Sequence, residues 1–190
     1  ISATRHDGMM QVFRQAGEFA GSKKGVSIAI GVFDGVHLGH QQVIRQALSD
    51  ATSHEAASII ITFDRHPSTV VAPAKAPQLI YPLEQKLQVL STFQPDGVFL
   101  VHFDEAFSKQ TAEDFIRTLA RDFVKIHSIC VGSTFTFGHR RAGNVALLRD
   151  LGARHHFLAH GLAAVALDGY PVSSTRIREA IRAGNLEAAS

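Results

Sequence analysis

The run Gly31-Val32-Phe33-Asp34-Gly35-Val36-His37-Leu38-Gly39-His40 is the first place in this 190-residue chain where residue types and spacing suggest chemistry. Two histidines three positions apart sit at the end of a glycine-rich turn, just where a helical pattern begins. Backbone N–H groups and the positive end of a helix attract phosphate oxygens. Imidazole N–H donors there can stabilise charge that builds up on a phosphoryl group. Glycines at 31, 35 and 39 do not spell G-x-G-x-x-G, and no G-x-x-x-x-G-K-[ST] occurs, which disfavours a dinucleotide fingerprint and a P-loop kinase. Paired histidines also ligate zinc, but such a site needs further ligands and no obvious cluster of Cys and carboxylates supplies them. Placement favours phosphate.

Two other segments have suitable side chains. Ser173-Ser174-Thr175-Arg176-Ile177-Arg178 enters a helix. Its hydroxyls are ordinary N-caps and exposed arginines are usually solvated, yet the set also makes a good polyphosphate clamp. Residues 131–143, VGSTFTFGHRRAG, follow a strand pattern and bracket a Phe pair and two arginines with glycines.

Elements must hold these segments. Apolar, β-branched runs at 26–32, 57–63, 98–103 and 128–131 read as buried strands. Helical spacing covers 39–51, 83–93 after Pro82, 111–124, 147–151 and 175–183. Thr111 and Asp114 have capping-box spacing, and Gly184-Asn185 is a stop signal. The alternation predicts an α/β fold with a doubly wound parallel sheet. Residues 65–81, with Pro67, Pro73 and Pro77, read as a long loop or flap, and long loops in compact α/β domains tend to be functional.

Composition narrows the class. Hydrophobic residues at 45% and charged residues at 19% describe a globular chain rather than a disordered one. The 13 Phe against 2 Tyr and no Trp predict that aromatic surface serves mainly as core filling. A formal charge of +2 argues against a general nucleic-acid coat. Cys130 is the only cysteine, so no internal disulfide can form, and its apolar setting predicts a buried structural thiol. No apolar stretch approaches the roughly 20 residues of a membrane span, and no signal segment opens the chain. A cytoplasmic protein is expected.

Taken together, the motifs resemble a known family. The turn at 31–40 is similar to the G-x-F-D-G-x-H-x-G-H signature of the nucleotidyltransferase superfamily with H-x-G-H motifs. From about Met10, the chain resembles the N-terminal module of bacterial bifunctional riboflavin kinase/FMN adenylyltransferases, the FAD synthetases. Carrying the likeness are MQVFR at 10–14, TFDRHP at 62–67, PLEQKLQVL at 82–90, FDEAFSKQTAEDFI at 103–116, FGHRRAG at 137–143, LLRDLGA at 147–153 and VSSTRIREAI at 172–181. Their order is far more specific than any one of them.

The resemblance implies a Rossmann-like sheet of the nucleotidyltransferase type with a flap or small subdomain. It implies transfer of AMP from ATP to the phosphate of FMN, giving FAD and pyrophosphate. His37, His40 and Arg178 would be catalytic; Gly31, Phe33, Asp34, Ser174 and Thr175 would complete the ATP site. Asp64, His66, Pro67, Thr134, Phe137 and Arg141 would receive the flavin. Mg2+ would enter mainly through the ATP phosphates, without a direct protein ligand set. Residues 1–9 read as an N-terminal extension and 10–190 as the nucleotidyltransferase domain. A riboflavin kinase module, present in the family, would be the partner in a full-length protein; this sequence has none, so no riboflavin kinase activity is expected. No nucleic-acid or membrane partner is expected. Ser133 and Thr134 stand where the family usually has an acidic residue and then Asp or Asn, and Arg65 stands where it usually has Pro. Both departures fall on the flavin side. They keep two alternatives in view: a related nucleotidyltransferase with another phosphate acceptor, and a flavin- or nucleotide-binding protein without turnover.

Overall fold

A computed structural model describes residues 10–19 and 24–185, so the predicted extension at 1–9 lies outside the described residues. Six strands, β1 (Gln11–Phe13), β2 (Val26–Ile30), β3 (Ala57–Phe63), β4 (Gly97–Val101), β5 (Ile126–Gly132) and β6 (Leu158–Leu162), form one sheet in the order β1-β4-β3-β2-β5-β6. Every pairing in it is parallel. A two-stranded antiparallel hairpin, β7 (Ala166–Leu167) and β8 (Tyr170–Pro171), follows. The helices are α1 (Leu38–Ser53), α2 (Ser68–Val71), α3 (Leu83–Ser91), α4 (Glu105–Ser108), α5 (Ala112–Asp122), α6 (Val145–His155) and α7 (Ser174–Arg182). The predicted doubly wound parallel α/β fold is what the chain adopts. Among the described residues, no helix is long and apolar enough to cross a membrane.

The central strands are apolar on both faces because both faces are covered. Ile28, Ile30, Ile59 and Ile61 point to a core shared with Phe115, Ile116 and Leu119 of α5 and Leu148 and Leu151 of α6. Ala29, Ile60, Val98 and Cys130 point the other way, against Val43, Ile44 and Ala47 of α1 and Leu90 of α3. Burying a side chain of this size stabilises by about 1.5–3 kcal/mol, so substituting alanine for isoleucine in β2 or β3 would loosen both layers. Phe13, Phe33, Phe63, Phe115, Phe123, Phe137 and Phe157 are buried, which makes most of the phenylalanine core filling as expected. Cys130 is buried too.

Winding runs from β2 outward through β3 to β4, then crosses back over the sheet to β5 beside β2. The direction of winding therefore reverses between β2 and β5, and a crevice opens beyond their carboxyl ends, where open α/β sheets bind ligands.

Predicted boundaries differ from the observed ones in informative ways. Both edge strands, β1 and β6, escape the sequence pattern because an edge needs no continuous apolar run; β6, LAHGL, is half-exposed or exposed throughout. The helix expected at 147–151 extends to Val145–His155, since Asn144 caps it by accepting from the Leu147 N–H at 3.0 Å. The stretch 65–81 is not all loop: it holds α2 and a 3-10 turn at Pro73–Lys75, built around its prolines. Thr111 caps α5 through the Asp114 N–H as its spacing suggested. Gly184 and Asn185 end α7, donating to the carbonyls of Ile181 and Ala180 at 3.0 and 2.9 Å.

Candidate active site

Beyond the carboxyl ends of β2 and β5 lies a cleft of about 1240 Å³. Its floor is the turn from β2 into α1. Gly31 has no side chain because a Cβ there would meet the Phe33 ring at 2.9 Å. Phe33 and Val36 take left-handed φ values of 52° and 37°, which non-glycine residues rarely adopt. Their side chains are buried against α1 and α3, and that packing holds the turn in place. The turn delivers His37 to the N-cap of α1, where its Nδ1 accepts from the His40 N–H at 3.4 Å. The two imidazoles stack at 3.6 Å with 20° between their planes, and Phe33 meets His40 edge-on at 5.3 Å.

Neither histidine is charged at neutral pH. Burial pushes the His40 imidazole down to about 3, helped by repulsion from His37 once that ring is protonated and from the Lys86 charge. Burial also lowers His37. His40 Nδ1 is buried with no hydrogen-bond partner, a polar atom held ready in the floor of the cleft. With His37 Nδ1 occupied as an acceptor, its Nε2 carries the hydrogen and can donate to an anion.

A buried cation lies beneath the pair. The Lys86 Nζ, on α3, donates to Phe63 O at 2.8 Å, Thr62 Oγ1 at 3.2 Å and Val32 O at 3.3 Å, tying the ends of β2 and β3 together. Burial lowers its pKa to about 8 against the opposing pull of Asp34 and Asp64, so it is mainly protonated at neutral pH. The sequence reading placed Lys86 inside a matching segment without giving it a role. Its three acceptors come from chain positions far from 86, and only the fold unites them.

Across the cleft stands the N-terminus of α7. Ser173 caps it by accepting from the Arg176 N–H at 3.3 Å, and the first N–H groups of a helix have no intrahelical acceptor. Thr175 lies exposed at the cleft wall, while Ser174 Oγ donates to Asp34 O at 2.8 Å. Arg178 reaches Asp34 Oδ2 at 2.5 Å through Nη2 and the Gln78 carbonyl at 2.7 Å through Nε. Asp34 in turn accepts from the Ile80 and Tyr81 N–H groups at 3.0 and 3.1 Å. The pair is almost fully buried. Asp34 is thus the hub joining the first turn, α7 and the end of the flap.

The other end of the cleft is aromatic and basic. His66, with Nδ1 accepting from Ser68 N–H at 3.2 Å, and Pro67 form one wall. Burial is the main cause of a lowered His66 pKa, with the Arg178 charge adding to it. The loop after β5 forms the opposite wall. Phe135 and Phe137 stack at 5.4 Å, and Arg141 Nε donates to Thr136 Oγ1 at 3.0 Å. Gly138 turns that loop at φ +73°, and a Cβ there would lie 2.4 Å from Ala112 N. Thr134 and Ser133 are exposed at the lip.

Of the residues named for the site from the sequence, all line this cleft except Asp64 and Arg176, the latter donating instead to the Leu167 and Tyr170 carbonyls of the β7–β8 hairpin. Asp64 turns away from the cleft: Oδ2 meets His102 Nδ1 at 2.6 Å and Oδ1 accepts from Phe103 N–H at 3.1 Å. Burial works to raise its pKa, but the His102 and Phe103 hydrogen bonds and the Arg65 charge outweigh it and leave the carboxyl below its usual value. Its place in the structure is to fix the turn after β4. Phe135, Phe103, Phe107, Lys75 and Lys109 line the cleft without having been singled out; the aromatic pattern F-T-F was the one local signal for Phe135.

The acidic side chains at the cleft do not form a metal cage. Both Asp34 oxygens are occupied as described, and Glu105 pairs with Lys109 at 2.7 Å on the exposed rim.

Comparison with known proteins gives one consistent result. A family model described as FAD synthetase matches residues 19–176. A bifunctional riboflavin kinase/FMN adenylyltransferase from Haemophilus influenzae is 32% identical over 87% of this chain and 54% of its own length, and its Escherichia coli counterpart is 30% identical over 86% and 52%. A Geobacillus thermodenitrificans protein provisionally named for the same two activities is 35% identical, with 86% of each chain covered. The chain thus spans about half the length of the first curated relatives it matches. A crystal structure described as a macrolide-efflux protein from Streptococcus pneumoniae superposes with a TM-score of 0.79 over 95% of this chain and 60% of that one; at 23% identity the likeness is one of fold.

Proposed function

The chain belongs to the FAD synthetase family, and from that premise we propose that residues 10–190 form a cytoplasmic FMN adenylyltransferase domain that converts ATP and FMN to FAD and pyrophosphate. One observation carries this reading: a stacked, uncharged His37–His40 pair at the N-terminus of α1 faces the N-terminus of α7 across a single cleft at the switch point of the sheet. Two helix N-termini with hydroxyl and imidazole donors suit a triphosphate, and the aromatic, basic far end suits a flavin bearing a phosphate.

In the proposed reaction an FMN phosphate oxygen attacks the α-phosphorus of ATP. The new bond is phosphorus–oxygen to FMN, and the bond broken is that from the α-phosphorus to the oxygen leading to the β-phosphate; pyrophosphate leaves. No protein nucleophile is needed. Catalysis rests on positioning and on dispersing charge over the phosphoryl oxygens. His37 and His40 donate to those oxygens as neutral imidazoles, and the Lys86 charge beneath them makes the floor attractive to a polyanion. Thr175 and the α7 N–H groups bind the triphosphate from the other side. Arg178 contributes from a guanidinium already anchored by Asp34 and Gln78, so its direction is set before substrate arrives. Mg2+, bound to the ATP phosphates, would supply further neutralisation of their charge. The flavin would lie between the wall of His66 and Pro67 and the loop bearing Thr134, Phe135, Phe137 and Arg141.

The test is incubation with ATP, Mg2+ and a panel of acceptors, with products separated chromatographically. FAD from FMN, with an equal amount of pyrophosphate, is the expected outcome. Preferential adenylylation of another phosphate ester, or tight flavin binding without turnover, would contradict it.

A further inference from the structure

Three ligand-type side chains converge on the α1 face of the sheet, outside the cleft. Asp50 stands in α1, Cys130 in β5 and His160 in β6, and the last two are register partners in adjacent strands. None of the three lines the cleft. Asp50 Oδ2 lies 3.5 Å from Cys130 Sγ and 3.3 Å from His160 Nε2, and the three ligand atoms all fall within 4.8 Å of one another.

The Asp50–Cys130 and Asp50–His160 separations have the lengths of two edges of a metal tetrahedron. With Zn–S of about 2.3 Å and Zn–N and Zn–O each of about 2.0–2.1 Å, tetrahedral angles put S and O about 3.5 Å apart and N and O about 3.3 Å apart. The observed values match both. The charge balance points the same way. The Asp50 side chain is 15% exposed, Gln46 Nε2 donates to its Oδ1 at 2.8 Å, and among the described residues no Lys or Arg nitrogen lies within 4 Å of its carboxylate. A largely buried carboxylate without a permanent counter-charge favours a cation. Access runs through His160, whose side chain is 34% exposed, while Cys130 is the deep ligand.

We infer that Asp50, Cys130 and His160 form a tetrahedral site for one zinc-class divalent ion, with the fourth coordination position open. Binding forms a metal–sulfur bond and breaks the Cys130 S–H bond; the proton leaves to solvent and no electron is transferred. The ion would cross-link α1 to β5 and β6. The site does not depend on the adenylyltransferase reading.

Cobalt(II) tests it directly. Cys130 is the only cysteine in the chain, so a thiolate-to-cobalt absorption band reports this site alone, whatever the other histidines take up. The band should saturate at one equivalent, disappear on adding Zn2+, and be lost in His160→Gln and in Asp50→Asn while far-ultraviolet circular dichroism stays unchanged. Zn2+ at about 100-fold over its Kd should raise the unfolding midpoint of the wild type by about 5–10 °C and leave that of His160→Gln unmoved. A folded wild-type chain without the band, or a band that survives in both variants, would overturn the assignment.

Discussion

His40 has been placed where it cannot hold a proton at neutral pH, and this has two measurable consequences. Its folded-state pKa of about 3 lies below the ordinary 6.5, so the unfolded chain binds the extra proton first as pH drops. Stability should therefore fall as pH falls from about 6.5 toward 3, and His40→Gln should flatten that part of the curve in denaturant titrations. If wild type and variant show the same slope, His40 is not the buried neutral group described. Lys86 gives the opposite kind of signal. Its charge is lost above about pH 8, so kcat/KM for ATP in the wild type should decline there. Lys86→Met should have a lower kcat/KM at pH 7 and little further decline up to pH 9; an unchanged alkaline limb would remove Lys86 from nucleotide binding. The histidine pair was legible in the sequence because its signal is local, a turn and an H-x-x-H at a helix start. The roles of Lys86 and Asp34 were not, because their partners lie at residues 32, 62 and 63 in one case and 80, 81 and 178 in the other.

At the scale of elements, two loops on separate supports build the two ends of the cleft. The β2–α1 turn is packed on α1 and α3, whereas the loop after β5 leans on the start of α5 through Gly138 and Gly143. Gly138→Ala combines a strained φ with a clash against the Ala112 backbone. It should distort the flavin-side loop, raising KM for FMN by about tenfold or more while leaving ATP affinity within about twofold. Equal losses for both substrates, by calorimetry or steady-state kinetics, would show that the two ends are not independently supported. The central strands could be read from their apolar runs because helices cover both of their faces. Edge strands β1 and β6 could not, since one side of each has no neighbour and their side chains carry no uniform pattern. The short helices α2 and α4 are one turn each, below the length at which periodicity can be seen.

For the molecule as a whole, the fold converts a linear set of distant motifs into one cleft at the point where sheet winding reverses. Thirty-odd to 178 in the numbering meet there because β2 and β5 are neighbours and α7 returns to their carboxyl ends. Asp64, named from the sequence for the flavin side, instead serves the turn after β4: it lies in the bend just beyond β3, and its partners His102 and Phe103 stand too far along the chain for any local signal to show them. The central claim is that this cleft transfers AMP through its histidine pair. The most direct measurement is the rate of FAD formation from saturating FMN and MgATP by the wild type and by His40→Ala, beside ATP binding by each. The account predicts FAD and pyrophosphate in equal amounts from the wild type, a rate about 10²–10³-fold lower in the variant, and ATP binding that largely survives. No FAD from a wild-type chain that binds ATP, or a variant as fast as the wild type, would contradict it.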